Sequence, residues 1–299
     1  MTTMGINVPA ATTTLAELNA MPAADFKAAL APVFENAPWV AEGVAAKRPF
    51  ATLTALHRAM TALIGEQSDE TQIAFLRGHP RLSPETLRKG TTAESTAEQT
   101  AAGIGALDPA TIAKLTALNA AYDTKFGFPF ILAVRVASLP TMLATFERRL
   151  AASPEAERAE ALAEIQAISW MRLLDRVQPA PTGSLSTHVL DTVRAMPAAG
   201  LGVELWGPDA AGQPICLERF ITDANGASER DLLGEGRLRA GTYEWRYDTP
   251  TYFAARGYPT PARSFLGKVS VTFSVWNPEE HFHVPLLLTP GSYMAYRGS

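Results

Sequence analysis

The apolar residues of this chain repeat with a helical period before the stretch "VQPAPTGS" (residues 177–184) and with a strand period after it, and this change limits the fold more than any other feature. In "SPEAERAEALAEIQAISWMRLLDRV", Leu162, Ile165, Ile168, Leu173 and Val177 recur near helical spacing. Ser153 is suited to the N-cap and Pro154 to the first helical position. Glutamates follow in the first turn, where the helix dipole favours them. "ATLTALHRAMTALI" and "DPATIAKLTALNAAYDTKF" read the same way, and alanine, the strongest helix former, is abundant throughout. Beyond the switch, "KVSVTFSVW" alternates: Val269, Val271, Phe273 and Val275 share one face, and Ser270, Thr272 and Ser274 the other. "LGVELW" and "GTYEWRYD" are shorter versions, separated by the turn signals "GPDAAGQP" and "DANG". The expected fold is therefore multidomain: an all-α helical domain over residues 1–178, a linker at 179–183, and an all-β sandwich over 184–299. Short strands at this spacing predict antiparallel pairing.

Composition narrows the function. With 299 residues and 47% hydrophobic content, each half can bury a core. No apolar run reaches membrane-spanning length. The start "MTTMGINVPAATTTLAEL" lacks the basic and apolar regions of a signal peptide, and the closing "RGS" is not the peroxisomal "SKL", so a cytoplasmic location is expected. The one cysteine, Cys216, permits neither an internal disulfide nor a cysteine zinc knuckle. The net charge of −4 is shared evenly by the two halves with no basic block. This argues against nucleic acid and for a small polar or anionic metabolite.

The histidines are His57, His79, His188, His281 and His283. In "RGHPRLS", Pro80 pushes His79 toward extended backbone, so His79 belongs to a loop or a helix entrance. "STAEQT" spaces Ser95, Glu98 and Gln99 at i, i+3 and i+4, one face of a helix. A hydroxyl, an acid and an amide on one face can bind a ring bearing N–H and C=O groups, and a nearby histidine can move a proton near neutral pH. The same pattern also suits a solvated face beside a structural His-Pro, and spacing alone leaves both readings open. In "EEHFHVP", His281 and His283 point to one face if extended, and His188 lies on a predicted strand. An H-x-H pair can ligate a metal, but no carboxylate or cysteine partner stands at a familiar spacing, so none is expected.

In chain order, "HPRL", "STAEQTAAGI", "LNAAYDTKFGFPFILAV" and "AISWMRLLDRV" resemble the OHCU decarboxylase family over about residues 15–178. Those enzymes convert 2-oxo-4-hydroxy-4-carboxy-5-ureidoimidazoline (OHCU) to (S)-allantoin. The resemblance implies an all-helical fold with no cofactor, His79 as catalytic acid/base and Glu98 working beside it. It implies Pro80, Ser95 and Gln99 around the substrate. The main chain of Pro129, Phe130, Ile131, Leu132 and Ala133 would bind the ring, and Arg172 would pair with its carboxylate.

"LSTHVLDT", "AAGLGVELW", "LLGEGRLRAGTYEWRYDT", "FLGKVSVTF" and "HFHVPLLLTPGSYMAYRGS" resemble the transthyretin-related 5-hydroxyisourate hydrolases over about residues 184–299. This implies a sandwich that assembles as a tetramer, with His188 and His283 catalytic and His281, Tyr296 and Ser299 near the substrate. One position departs: where the family carries a substrate-binding arginine, this chain has Ala227, and Arg230 is the candidate to replace it. Together the two resemblances imply a bifunctional enzyme of uric acid degradation. The alternative keeps the decarboxylase and makes the sandwich a tetramerisation scaffold.

Overall fold

The computed structural model describes residues 13–89, 92–209, 212–228 and 232–298. The chain divides between Gln178 and Pro179 into two compact units.

The first unit is helical. Among its described residues are α1 (Leu15–Ala20), α2 (Ala23–Leu30), α3 (Pro38–Val44), α4 (Leu53–Gly65) and α5 (Asp69–Arg77). They are followed by α6 (Pro84–Lys89), α7 (Ala93–Ala101), α8 (Pro109–Phe126), α9 (Leu139–Leu150) and α10 (Pro154–Leu174). Side-chain caps set the starts: Thr52, Ser68, Thr92, Asp108, Ser138 and Ser153 each accept a first-turn N–H, satisfying donors the helix leaves open. The three predicted helices appear as α4, α8 and α10, the last with its Ser153 cap and Pro154 start. Leu53, Leu56, Met60 and Ile64 form the buried stripe of α4, and Leu18, Phe26, Leu30 and Val40 are buried with them. Two short strands, β1 (Thr13–Thr14) and β2 (Val177–Gln178), pair in parallel.

An ion pair lies inside this unit. Arg149 of α9 and Glu157 of α10 are each 0% exposed. Arg149 Nε donates to the two Glu157 oxygens at 2.9 and 3.1 Å, and its Nη1 donates to the Ile131 carbonyl at 2.7 Å. Tyr122 Oη donates to the same carboxylate. Burial first, and the hydrogen bond to Glu157 second, push the Tyr122 hydroxyl far above its usual range, so it stays a neutral donor. The Arg149 guanidinium also lies 4.7 Å from the Phe130 ring centroid.

The second unit is a sandwich. Its strands are β3 (Ser184–Ser186), β4 (Val189–Asp191), β5 (Met196–Pro197), β6 (Gly202–Pro208), β7 (Pro214–Ile221), β8 (Gly241–Tyr247), β9 (Val269–Val275), β10 (His281–His283), β11 (Leu286–Leu288) and β12 (Tyr293–Ala295). One sheet runs β7-β6-β8-β9, another β12-β11-β4-β5, and β10 pairs with β3. Alternation buries Val203 and Leu205 of β6 and Tyr243, Trp245 and Tyr247 of β8. Ser270, Thr272 and Ser274 of β9 face outward, as their spacing predicts. At Gly207 a Cβ would come within 2.6 Å of the Tyr243 ring, so only glycine lets β6 approach it. A helix the sequence pattern did not announce, α11 (Thr249–Ala254), adds Tyr252 and Phe253 to the core.

One expectation needs correction. The pairing is mixed rather than antiparallel throughout: β3 runs parallel to β10, and β4 parallel to β11, in one unbroken register. Between the two pairings the ladder continues: Val284 N and Leu286 N donate to the Ser186 and His188 carbonyls at 3.0 and 2.9 Å, and the Val284 carbonyl accepts from Thr187 Oγ1 at 2.8 Å. Residues 179–183, the expected linker, carry no regular structure, and hydrogen bonds join them to the second unit. Ala180 N donates to Glu279 Oε1 at 2.9 Å, and Thr182 Oγ1 to the Glu279 carbonyl at 2.9 Å. No helix among the described residues is long and apolar enough to cross a membrane.

Glu157→Ala is expected to destabilise the helical unit by about 3–5 kcal/mol, because it strands a buried guanidinium. Urea unfolding checks this. A loss below about 1 kcal/mol would mean that Arg149 reaches water instead.

Candidate active sites

The helical unit holds a partly open pocket lined by His79, Pro80, Leu82, Ser95, Glu98, Gln99, Phe130, Ile131, Leu132, Val134, Ile168 and Arg172. His79 lies just past the end of α5, in the loop its proline predicts. Ser95, Glu98 and Gln99 are the buried face of α7. Arg172 comes from the last turn of α10. Pro129 and Ala133 are buried beside the cavity but do not line it.

Arg172 is arranged differently from the sequence expectation. Its bidentate face is occupied by Glu98: Nε donates to Oε1 at 2.9 Å and Nη2 to Oε2 at 2.9 Å. Nη1 donates to Glu35 at 2.9 Å and Nη2 to Ser95 Oγ at 3.1 Å. A substrate carboxylate therefore meets a guanidinium already paired, not a free fork. Burial alone would weaken the Arg172 charge, but Glu98 and Glu35 outweigh it and raise the pKa. Burial would likewise raise Glu35, yet the Thr92 hydroxyl, Arg172 and Ser95 hold it below its usual range. Arg135 also approaches Glu98, at 3.4 Å.

Glu35 escaped the sequence reading. It lies in a turn 137 positions from Arg172, in a segment with no periodicity or motif to mark it. The next residue, Asn36, has φ of 50°, a conformation asparagine tolerates. Its Nδ2 donates to the Gly78 carbonyl at 2.9 Å, joining the Glu35 turn to the His79 loop.

His79 Nδ1 lies 3.3 Å from the Phe75 carbonyl, which can only accept, so Nδ1 carries the proton and Nε2 is bare. Burial pushes the His79 pKa down to about 4, with Glu35 opposing and Arg172 assisting. The ring is neutral at pH 7. The main chain expected to bind a ring is only partly available. Ala133 N donates to Glu164 at 2.8 Å, and the Ile131 carbonyl is held by Arg149. Among the described residues, the N–H groups of buried Phe130, Ile131 and Leu132 meet no acceptor. The buried Gln99 Oε1 also has no partner.

A second cluster lies on the sandwich. Along residues 184–189, Leu185, Thr187 and Val189 are buried, while Ser184, Ser186 and His188 face out. Ser184 is registered opposite His281 and Ser186 opposite His283. Ser186 Oγ is 2.9 Å from His281 Nε2 and 2.8 Å from His283 Nδ1, and the two rings lie 15° from parallel. His188 bridges to Ala227, so the position without the family's arginine sits directly across from a candidate catalytic histidine. Tyr296 is 51% exposed, and its N–H donates to the Pro285 carbonyl. Arg230 and Ser299 lie outside the described residues. Ser186 is the residue that spacing did not mark here. His57 is half-buried, its Nε2 2.9 Å from Ser169 Oγ. No group of three or more His, Cys, Asp or Glu among the described residues is placed to hold a metal.

Comparison with known proteins agrees with both resemblances. The OHCU decarboxylase family model matches residues 19–174, and the HIUase/Transthyretin family model matches residues 185–298. The mouse 2-oxo-4-hydroxy-4-carboxy-5-ureidoimidazoline decarboxylase is 38% identical over 162 residues, covering 54% of this chain and 91% of that protein. The 5-hydroxyisourate hydrolase of Halalkalibacterium halodurans is 41% identical over 118 residues, 40% of this chain and 99% of that protein. A crystal structure of (S)-allantoin synthase is 31% identical with a TM-score of 0.81, covering 96% of this chain and all of that one.

A Cβ at Gly298 would lie 2.5 Å from His283 Cδ2 and 3.2 Å from Pro285. Gly298→Ala is expected to displace the His283 imidazole and cost about 1–3 kcal/mol. Imidazole NMR should show the His283 signals moving while those of His79 stay. Unchanged His283 signals would mean that the backbone shifts instead.

Proposed function

The chain belongs to the OHCU decarboxylase family over residues 19–174 and to the HIUase/transthyretin family over residues 185–298, and from that premise we propose that it is a bifunctional enzyme of uric acid degradation. The sandwich hydrolyses 5-hydroxyisourate to OHCU, and the helical unit decarboxylates OHCU to (S)-allantoin. The observation that carries the reading is the meeting of His79, Ser95, Glu98, Gln99 and Arg172, from three separate segments, at a single cavity.

Loss of CO2 breaks a C–C bond and leaves an electron pair that must spread into the ring before a proton is added. The open N–H groups of Phe130, Ile131 and Leu132 are suited to ring oxygens, where they stabilise the developing charge. Gln99 Oε1 supplies an acceptor for a ring N–H. Glu98 is fixed by Arg172 and can accept from a substrate hydroxyl or N–H. Arg172 acts by holding Glu98 and Glu35, and its remaining Nη1–H is available to the carboxylate. His79, neutral with Nε2 bare, moves the proton on one face, so a single enantiomer forms.

In the sandwich, His188 and His283 handle the protons of ring opening, with His281 and Tyr296 at the substrate. Arg230 and Ser299 belong to the same reading by sequence. The reading also includes assembly as a tetramer through the sandwich: β9 and β12 end their sheets, and such edges invite pairing with another copy. A cytoplasmic location completes it. The rival, a sandwich that only assembles the protein, rests on Ala227.

The test supplies freshly made 5-hydroxyisourate to the purified protein and follows ultraviolet absorbance and circular dichroism together. Both steps are expected to be accelerated. A first step at the uncatalysed rate would leave the sandwich a scaffold. His79→Asn should cut decarboxylation about 100-fold or more and spare hydrolysis, and loss of neither activity would remove His79 from the mechanism. Because the free enzyme's His79 titrates near pH 4, kcat/KM for decarboxylation should hold as pH falls from 7 to about 5 and drop only below that. An acid limb near 6.5 would mean a solvated imidazole.

A further inference from the structure

The sandwich holds a line of four side chains that alternates hydroxyl and imidazole. Ser184 Oγ lies 2.7 Å from His281 Nδ1, His281 Nε2 lies 2.9 Å from Ser186 Oγ, and Ser186 Oγ lies 2.8 Å from His283 Nδ1. The parallel register of β3 with β10 creates the line, because it sets Ser184 against His281 and Ser186 against His283. The outer imidazole, His281, is exposed, and the inner one, His283, is half-buried.

Ser186 has one hydroxyl proton and stands between two ring nitrogens. It can donate to one and must accept from the other. With both rings neutral, two arrangements satisfy these three contacts. In the first, His283 Nδ1–H donates to Ser186, Ser186 donates to His281 Nε2, and His281 Nδ1–H donates to Ser184, so His283 Nε2 is bare. In the second every bond is reversed, and His283 carries its proton on Nε2.

We propose that Ser184, His281, Ser186 and His283 form a proton relay, and that Ser186 is the positioning residue that switches His283 between base and acid. The proposal rests on the hydrolase reading above. His283 Nε2 takes a proton from the water that attacks the substrate carbonyl. The His283 Nδ1 proton then passes to Ser186 Oγ as the Ser186 hydroxyl proton passes to His281 Nε2. His281 now holds the extra proton; its Nδ1 proton passes to Ser184 Oγ as the Ser184 hydroxyl proton leaves to solvent, so that Ser184 then donates to Nδ1. His283 is left neutral with its proton on Nε2, ready for the ring nitrogen that departs as the C–N bond breaks. The return stroke runs the transfers backwards, a solvent proton entering at Ser184 Oγ. No oxidant or further reactant is needed.

The test uses the full chain and its Ser186→Ala and Ser186→Thr variants, with 5-hydroxyisourate in mixtures of H2O and D2O. Ser186→Ala is expected to lower kcat for hydrolysis about tenfold or more while KM stays within about twofold. Ser186→Thr, which keeps the hydroxyl, should recover most of the loss. The dependence of kcat on deuterium fraction should be curved in the parent, as several protons move together, and linear in Ser186→Ala. Decarboxylation of OHCU by each variant serves as the internal control. Equal losses in the alanine and threonine variants, or an unchanged kcat and deuterium dependence in Ser186→Ala, would overturn the relay and leave hydrolysis standing. A parent protein that does not accelerate 5-hydroxyisourate loss at all would overturn the hydrolase reading, and the relay with it.

Discussion

A guanidinium 3% exposed organises the helical unit. Arg172 cannot shed its charge, so burial demands anions fixed within hydrogen-bond reach. The fold supplies two, Glu35 and Glu98, from segments 137 and 74 positions away. Three distant pieces of chain thus meet at one charge, and the cavity is the space beside that meeting. His79 lies at its edge, where low polarity and the nearby guanidinium keep its imidazole neutral. The residues that make the site chemically capable are therefore the ones that hold its walls together.

Arg149 has a similar role in the layer behind the cavity wall. It is paired with Glu157 and aimed at the Ile131 carbonyl, and Glu164 holds Ala133 N from the other side. The stretch between them is pinned at both ends, with its remaining amides left open. Such preorganisation favours catalysis because donors already in place need no rearrangement as charge develops.

The sandwich depends on a different constraint. Residues 184–191 run beside 281–288 in one parallel register. That register sets serines against histidines and brings the two ends of the domain together. The segment that follows is held in place as well: β12 pairs with β11, and Gly298 N donates to the His283 carbonyl at 2.9 Å. A side chain at 298 would strike the imidazole, so the glycine of "YRGS" serves the histidine.

Much of this was legible in the sequence, because periodicity and capping are local. The Ser153 cap, the face shared by Ser95, Glu98 and Gln99, the looped His79 and the alternation of β9 all follow from spacing over a few residues. Motif resemblance added the two activities. What spacing could not reveal is long-range pairing. Glu35 has no local signature, Arg172 looked free because its partners are far away in the chain, and Ser186 gains meaning only from the strand laid beside it. The parallel pairing was missed for the same reason, since alternation marks a strand but not its neighbour's direction. The sequence by itself determined two domains, their classes and the helical face that Ser95, Glu98 and Gln99 share. Only the tertiary structure decided which charges neutralise one another and which nitrogen of His79 is bare, because those depend on contacts between segments that share no local pattern.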